Sequence, residues 1–170
     1  EFLVSTSDSG NHASDLTITS LDLNDIYTLN SGDILTKFKG LKTSVVSNIH
    51  IQSSGRVQDK NADLAFKHLL WFEYQMLESS VQAFKKISFS NVEIIECAVD
   101  GDVMVFSNKA DTWSADQFLV LHKMNLEGNF ARKSYLLKFT DVTNIAITSS
   151  RFARNMASLS FSKAYRYVLA

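Results

Sequence analysis

The densest group of acidic side chains in this 170-residue chain comprises Glu93, Glu96, Asp100 and Asp102, and Glu127 follows later. Carboxylate oxygens are the ligands that Ca²⁺ prefers, and two carboxyl groups that flank a glycosidic bond can hydrolyse it. The sequence therefore allows a Ca²⁺ site near Asp100 and Asp102, and a carbohydrate site that uses Glu93 and Glu127. The competing interpretation, which the pattern favours, is a solvated acidic face beside a turn.

Two arginines recur in a matching context. The tetrapeptides at 130–133 and 152–155 both begin Phe-Ala-Arg, which predicts that Arg132 and Arg154 occupy the same position in consecutive repeats. A planar guanidinium group binds a carboxylate through two parallel hydrogen bonds. Such a pair can hold a carboxylated sugar or an acidic partner, although a solubilising edge explains the same pattern and is favoured.

A polar segment at 107–117 contains Trp113, flanked by small and acidic residues. An exposed aromatic ring in such a loop is suited to stacking on a sugar ring or on a second subunit. The candidate ligand-binding residues are Glu93, Glu127, Arg132, Arg154 and Trp113.

Catalytic and metal-binding signatures are absent from the sequence. The histidines at 12, 50, 68 and 122 have no zinc-site spacing. There is no Gly-x-Ser-x-Gly elbow, no phosphate-binding glycine loop and no His-Glu-x-x-His motif. We predict no catalytic residue, no cofactor and no metal site apart from the Ca²⁺ alternative. The sequence favours a non-enzymatic protein without deciding the matter.

Net charge, apolar runs and length limit the classes of partner and of fold that this chain can have. A net charge of −1 provides no overall basic field, so nucleic acid is not an expected partner. No wholly apolar run is longer than that at Leu69–Phe72, which is far shorter than a membrane-spanning helix requires. The length suits one domain with a sizeable core, and the lone Cys97 is predicted to be a small core residue.

A degenerate repeat organises the chain. The octet Ser47–Ser54 is nearly repeated as Thr143–Ser150, and a third copy begins at Ser90. Each copy alternates apolar and polar residues and is rich in β-branched side chains, which predicts a strand with one buried face.

Phenylalanines form a second repeated signature. Six of them span 123 residues in five intervals, a mean of about 25 residues, which lies within the range of solenoid repeats. The longest interval contains the loop insertion at 107–117. These residues are Phe38, Phe66, Phe84, Phe106, Phe139 and Phe161.

Repeats this short predict an all-β fold, a right-handed parallel β-helix of about six coils, in which equivalent residues stack in columns. We expect the phenylalanines to form one column and a set of aliphatic residues to form another. The aliphatic column is predicted to contain Ile18, Ile51, Ile94, Leu126 and Ile147. The absence of proline fits strands that donate hydrogen bonds on both edges.

The pattern Ser/Thr-Asn-Ile-x-Ile-x-Ser-Ser, followed by Leu-x-Phe as at 157–161, resembles the right-handed parallel β-helix of the pectate-lyase-like superfold. It is similar to the degenerate coils of large microbial and protist surface proteins. The resemblance covers residues 15–170, whereas residues 1–14 are predicted to be an N-terminal arm or cap. It implies a family that contains polysaccharide lyases and hydrolases, adhesins and structural surface proteins, and a coil does not choose among them.

From these observations we expect a structural, non-enzymatic, extracellular or cell-surface building block. It is predicted to stack end to end with itself, or with adjacent regions of a longer chain. The alternative function is a β-helix that binds or cleaves carbohydrate. The alternative fold is an antiparallel β-sandwich or jelly roll, because Asp100-Gly101 separates two apolar runs as in a tight hairpin.

Overall fold

The computed structural model describes residues 14–28, 33–55, 65–75, 87–108, 118–142, 144–162 and 167–169. All regular structure in these ranges is strand, with no helix. The strands are β1 Ser14–Ile18, β2 Leu21–Asn24, β3 Ile34–Gln52, β4 His68–Tyr74, β5 Ile87–Ile95, β6 Ala98–Val99, β7 Met104–Asn108, β8 Leu119–Glu127, β9 Phe130–Thr140, β10 Ile145–Thr148, β11 Arg151–Ala153, β12 Met156–Ser162 and β13 Tyr167–Leu169.

The described strands form one all-parallel sheet that is strongly curled into a half-barrel. β3 is long enough to pair with β4 through its first half and with β5 through its second. The antiparallel sandwich is therefore wrong. On either side of Asp100-Gly101, β6 pairs in parallel with β9, and β7 pairs in parallel with β4 and β9.

β8 shows why the sheet curls. Leu119, Leu121, Met124 and Leu126 are buried, and the strict alternation breaks only at Lys123, where φ is 54°. A residue in the left-handed region redirects the chain. The strand therefore consists of two straight segments that meet at a corner, and both segments turn their apolar residues inward.

Two such corners recur through neighbouring strands. The first corner contains Asn48, Asn91, Lys123 and Ser149, and the second contains Asp25, Ser53, Glu96, Gly128 and Arg154. All nine residues have positive φ, between 49° and 68°. Backbone hydrogen bonds join successive levels of the second corner, at 2.9–3.1 Å. Asparagine and glycine adopt this conformation at least cost.

The aliphatic column predicted from the sequence divides at the first corner. Ile51, Ile94 and Leu126 pair in register, but Leu126 is followed by Phe152 instead of Ile147. Placing Ile18 and Ile147 in the same column as these residues was wrong. Ile18 pairs with Val46 and Ile147 pairs with Leu121, in a separate column before the corner. The octets predicted a single column because the segments before and after the corner have the same apolar alternation, which does not distinguish between them.

Aromatic rings stack along the sheet in a column that we call the phenylalanine column. It contains Phe38, Phe72, Phe106 and Phe139, which are in register, and the backbone of Phe161 pairs with that of Phe139. Ring centroids from Phe38 to Phe139 are 5.2, 5.7 and 5.4 Å apart, with nearly parallel planes. Contacts of this kind add to the stabilisation that burial provides.

One of the predicted phenylalanines, Phe66, does not belong to this column. Phe66 is buried, but it precedes β4, and its N–H donates to the Gly55 carbonyl at 2.9 Å. Phe72 occupies the column position that the spacing assigned to Phe66, because Phe72 is the residue of β4 that pairs with Phe38 and Phe106. Phe84 lies outside the described residues.

Most of the predicted arm and loop also lies outside the described residues. Ser14 belongs to β1, while residues 1–13 are not described, and Ser107 and Asn108 end β7 before the undescribed part of the loop. Within the described ranges, no helix is long and apolar enough to cross a membrane.

Candidate functional site

One outward-facing row of side chains crosses five strands, and we call it the polar ladder. Asp22, His50, Glu93, Asn125 and Arg151 pair in register in that order. They lie in the segment that follows the first corner, where every second residue turns away from the core. Adjacent strands are about 4.8 Å apart, so neighbouring side chains of the ladder lie close together. His50 Nδ1 is 3.3 Å from Glu93 Oε2.

The polar ladder and the first corner line an open groove of about 510 Å³. Asn91 Nδ2 donates to Asn48 Oδ1 at 3.2 Å, and Asn48 Nδ2 donates to the Thr19 carbonyl at 3.0 Å. Lys123 is exposed and makes no ion pair with a described residue. The groove is lined by Asn48, Ile49, His50, Asn91, Glu93, Lys123, Met124, Asn125, Ser149 and Arg151.

Asn125 gives the groove an unsatisfied acceptor. Its Oδ1 is buried and accepts no hydrogen bond from the described part of the chain. A buried acceptor without a donor is costly. A hydroxyl or amine donor placed in the groove would satisfy it.

Glu93 and Glu127 lie on the same face of the sheet but have different partners. Glu93 lines the groove, whereas Glu127 pairs with Arg151 Nη1 at 3.3 Å and makes a second, very short contact with Arg154. Arg151, which the sequence analysis did not select, therefore contributes to the groove. Its only sequence signal was its position directly after the octet Thr143–Ser150.

The expectation that Arg132 and Arg154 occupy equivalent positions was wrong. Arg154 lies at the second corner, at the position equivalent to Gly128. Arg132 lies beyond that corner, in β9, and pairs with Asp100 at 3.8 Å. Met156 pairs with Phe130, so the repeat there is 26 residues long, not 22. Leu137 lies seven positions after Phe130, whereas its partner Leu159 lies only three positions after Met156. This difference of four shortens the repeat from 26 residues to 22 by the time the chain reaches Phe161. Trp113 lies outside the described residues.

Asp102 is almost completely buried and is held by neighbouring groups. Its Oδ1 accepts the Tyr135 N–H at 3.1 Å, and its Oδ2 is 3.4 Å from Lys138 Nζ. His68 Nδ1 accepts the Asp102 N–H at 3.1 Å, and burial lowers the pKa of His68 below 6.5. Among the described residues, no three His, Cys, Asp or Glu side chains cluster as metal ligands. The Ca²⁺ site near Asp100 and Asp102 stays a prediction.

An inward row at the second corner explains the lone cysteine. Asn129 Oδ1 accepts the Cys97 N–H at 3.0 Å, and Asn129 Nδ2 donates to the Ile94 carbonyl at 2.7 Å. Asn155 repeats both contacts one level later, to Asn129 and Leu126. The Cys97 thiol is buried and donates to the Ile95 carbonyl, and burial raises its pKa to about 11. Cys97 is thus a structural residue.

The two outermost levels of the described strands carry complementary groups, which sequence reasoning missed. We call the strands β1 and β2 with Tyr27 the first edge, and the strands β11, β12 and β13 the last edge. The polar ladder begins with Asp22 and ends with Arg151.

The second corner follows the same rule, since it begins with Asp25 and ends with Arg154. A third row begins with Tyr27 and ends with Met156. Both are exposed large hydrophobic side chains, at 37% and 69%. Nothing in the sequence relates these pairs, because each is separated by more than a hundred residues.

No family model, curated protein or solved structure matches this chain.

Proposed function

We propose that this chain is a structural, non-enzymatic building block of an extracellular or cell-surface assembly, in which copies stack end to end. The fold that we propose for it is a right-handed parallel β-helix of about six coils. The chain visits the same strand positions repeatedly in one order, as β4, β5 and β6 are followed by β7, β8 and β9. In such a solenoid each repeat contacts only its neighbours, so a terminal repeat without a cap has an unpaired edge.

The complementarity of the two edges is the observation that carries this proposal. A second copy whose first edge extends the last edge of its neighbour places Asp22 over Arg151 and Asp25 over Arg154. The same translation places Tyr27 over Met156 and brings Phe38 into backbone register with Phe161. Three outward rows and the register of β12 thus agree on a single arrangement.

Ion pairs, backbone hydrogen bonds and apolar contacts would contribute differently to such a contact. An exposed ion pair is worth only about 0–1 kcal/mol, so the two charge pairs set direction and register more than affinity. Unpaired backbone groups at the edges supply hydrogen bonds. Leu16, Ile18 and Leu21 near one edge and Phe152 near the other are only partly buried and would supply apolar contact. A head-to-tail contact of this kind produces open filaments.

Charge reversal tests the register. Light scattering over a range of concentrations measures the mass of wild type, Arg154→Asp, Asp25→Arg and the double variant. We expect each single variant to weaken association, and the double variant to recover it, because the double variant restores opposite charges across the contact. Arg132→Asp is the matched control, since Arg132 pairs with Asp100 within one copy. A wild-type protein that is monomeric at every concentration contradicts the proposal.

The groove supports a second candidate function, the binding of a carboxylated carbohydrate. Lys123 and Arg151 offer positive charge, Glu93 accepts hydroxyl donors, and the Asn125 Oδ1 lacks a donor. The test is binding to a glycan array, together with an assay for release of reducing sugar. Lys123→Ala and Asn125→Ala should weaken binding to uronic-acid oligosaccharides, with Lys42→Ala as a control outside the groove. No binding by the wild type removes this candidate.

A further inference from the structure

We propose that β13 is a displaceable cap, occupying the position that β1 of an incoming copy must take. This inference rests on the end-to-end stacking proposed above and adds a regulated step to it. It concerns which strand pairs with the outer edge of β10, in the column that precedes the first corner.

The registers make β1 and β13 equivalent. Ile18, the last residue of β1, begins a column that continues through Val46, Phe89 and Leu121 to Ile147. Leu169 of β13 pairs with Ile147 and so ends the same column. The other two positions of β13 follow the same rule, since Tyr167 pairs with Ile145 and Val168 with Ala146.

The geometry of the stack forces a choice between the two strands. If β2 of a second copy extends β11, then Leu23 lies over Phe152 and Asp22 over Arg151. Only residues 19 and 20 connect β1 to β2, so β1 of that copy has to lie on β10. β13 already holds that position. The complete contact therefore requires β13 to leave.

The exchange replaces a short strand with longer ones. β13 pairs with β10 at three positions. β1 pairs at five positions within its own sheet and β2 at four, and the bridge at Tyr27 adds one more. An incoming first edge thus offers more backbone pairing than β13 does. Because the cap is intramolecular and the incoming edge is not, the protein concentration decides which one wins.

The first experiment weakens the cap in the full chain. The triple variant Tyr167→Gly, Val168→Pro, Leu169→Gly removes strand propensity and one donor from β13. We expect it to associate at a concentration about ten-fold lower than the wild type. Val168→Ile, which keeps a β-branched residue, is the matched control and should behave as wild type. Association of the triple variant at the wild-type concentration overturns the inference.

The second experiment does not depend on filament formation. A fluorescent peptide with the sequence of residues 14–28 carries β1, β2 and Tyr27, and its binding is followed by anisotropy. We expect it to bind the triple variant about ten-fold more tightly than the wild type. A peptide with Asp22→Arg and Asp25→Arg controls for register and should bind more weakly.

These readouts separate the two ideas. Tight peptide binding to the triple variant alone, with no association of whole chains, supports the cap and contradicts stacking as the function. Equal binding to both proteins, or binding to neither, overturns the cap. Thermal melting of the triple variant verifies that loss of β13 leaves the rest of the sheet folded.

Discussion

The inner and outer faces of the curled sheet use stacking in opposite ways. Inside, like follows like: Phe38, Phe72, Phe106 and Phe139 place one ring on the next. Outside, the polar ladder changes at every strand, from carboxylate to imidazole, carboxylate, amide and guanidinium. The inner repetition stabilises every level in the same way, whereas the outer variation makes the two edges of the sheet chemically different.

The largest expected effect comes from breaking the inner column. Phe106 is fully buried between Phe72 and Phe139. Phe106→Ala should lower the free energy of unfolding by about 3–5 kcal/mol, measured by chemical denaturation. Phe118→Ala is the control, since Phe118 is 49% exposed and should change stability by less than about 0.5 kcal/mol. Similar losses at both positions would contradict the column.

A glycine at the junction of two levels should give the next largest effect. A Cβ on Gly55 would lie 2.2 Å from the Ala98 carbonyl oxygen, and φ there is +113°. Gly55→Ala should cost more than about 2 kcal/mol in unfolding free energy, because backbone must move.

Gly40→Ala is the matched control for this effect. Gly40 also has positive φ, but nothing lies within 4 Å of the added Cβ. It should lose only about 1 kcal/mol, the cost of the conformation itself. Equal losses at the two glycines would show that the close approach of the levels is unimportant.

The inward row at the second corner predicts an intermediate effect. Asn129→Ala removes the acceptor for the Cys97 N–H and the donor to the Ile94 carbonyl, both of which are buried. The expected loss of unfolding free energy is about 1–3 kcal/mol. Asn24→Ala, at an exposed position, is the control, and hydrogen exchange of the Cys97 amide reports whether the loss is local. Unchanged exchange would contradict the assignment.

The smallest effect concerns pH and the buried His68. Its pKa is lowered in the folded chain chiefly by desolvation, opposed by Asp102 and reinforced by Lys67 and Lys138. The unfolded chain then binds a proton more readily, so stability is complete above pH 6.5 and falls as the pH drops below it. His68→Gln should flatten this slope, measured by melting from pH 7.5 to about 5. His50→Gln is the control, and an equal flattening there would contradict the assignment.

How much of this was visible in the sequence depends on distance along the chain. Alternation in the octet that begins at Ser90 predicted a strand correctly, because neighbours two residues apart share a face. The match of Phe139 to Phe161 was correctly in register, since 22 residues do separate them. The match of Arg132 to Arg154 failed, because the extra residues of β9 shift the register between Phe130 and Leu137, so the 22-residue spacing does not hold before that shift.

The candidate site was less predictable than the fold. Glu93 was chosen for its acidity, yet its role in the groove depends on His50 and Asn125, which lie one strand away on either side. Asp25 and Arg154 carried no mutual signal at all. Polar side chains on an outward face are not constrained by packing, so no periodicity marks them.

The sequence by itself determined that this protein is built of strands with one apolar face, and that its phenylalanines and aliphatic residues repeat. Local alternation encodes this, because burial acts on every second residue. The repeats also predicted parallel strands, and the structure confirmed this against the antiparallel alternative. Only the tertiary structure decided which repeats lie in register and which groups lie at opposite edges of the curled sheet. These depend on the positions of the corners and on the number of residues between them, which change from one level to the next.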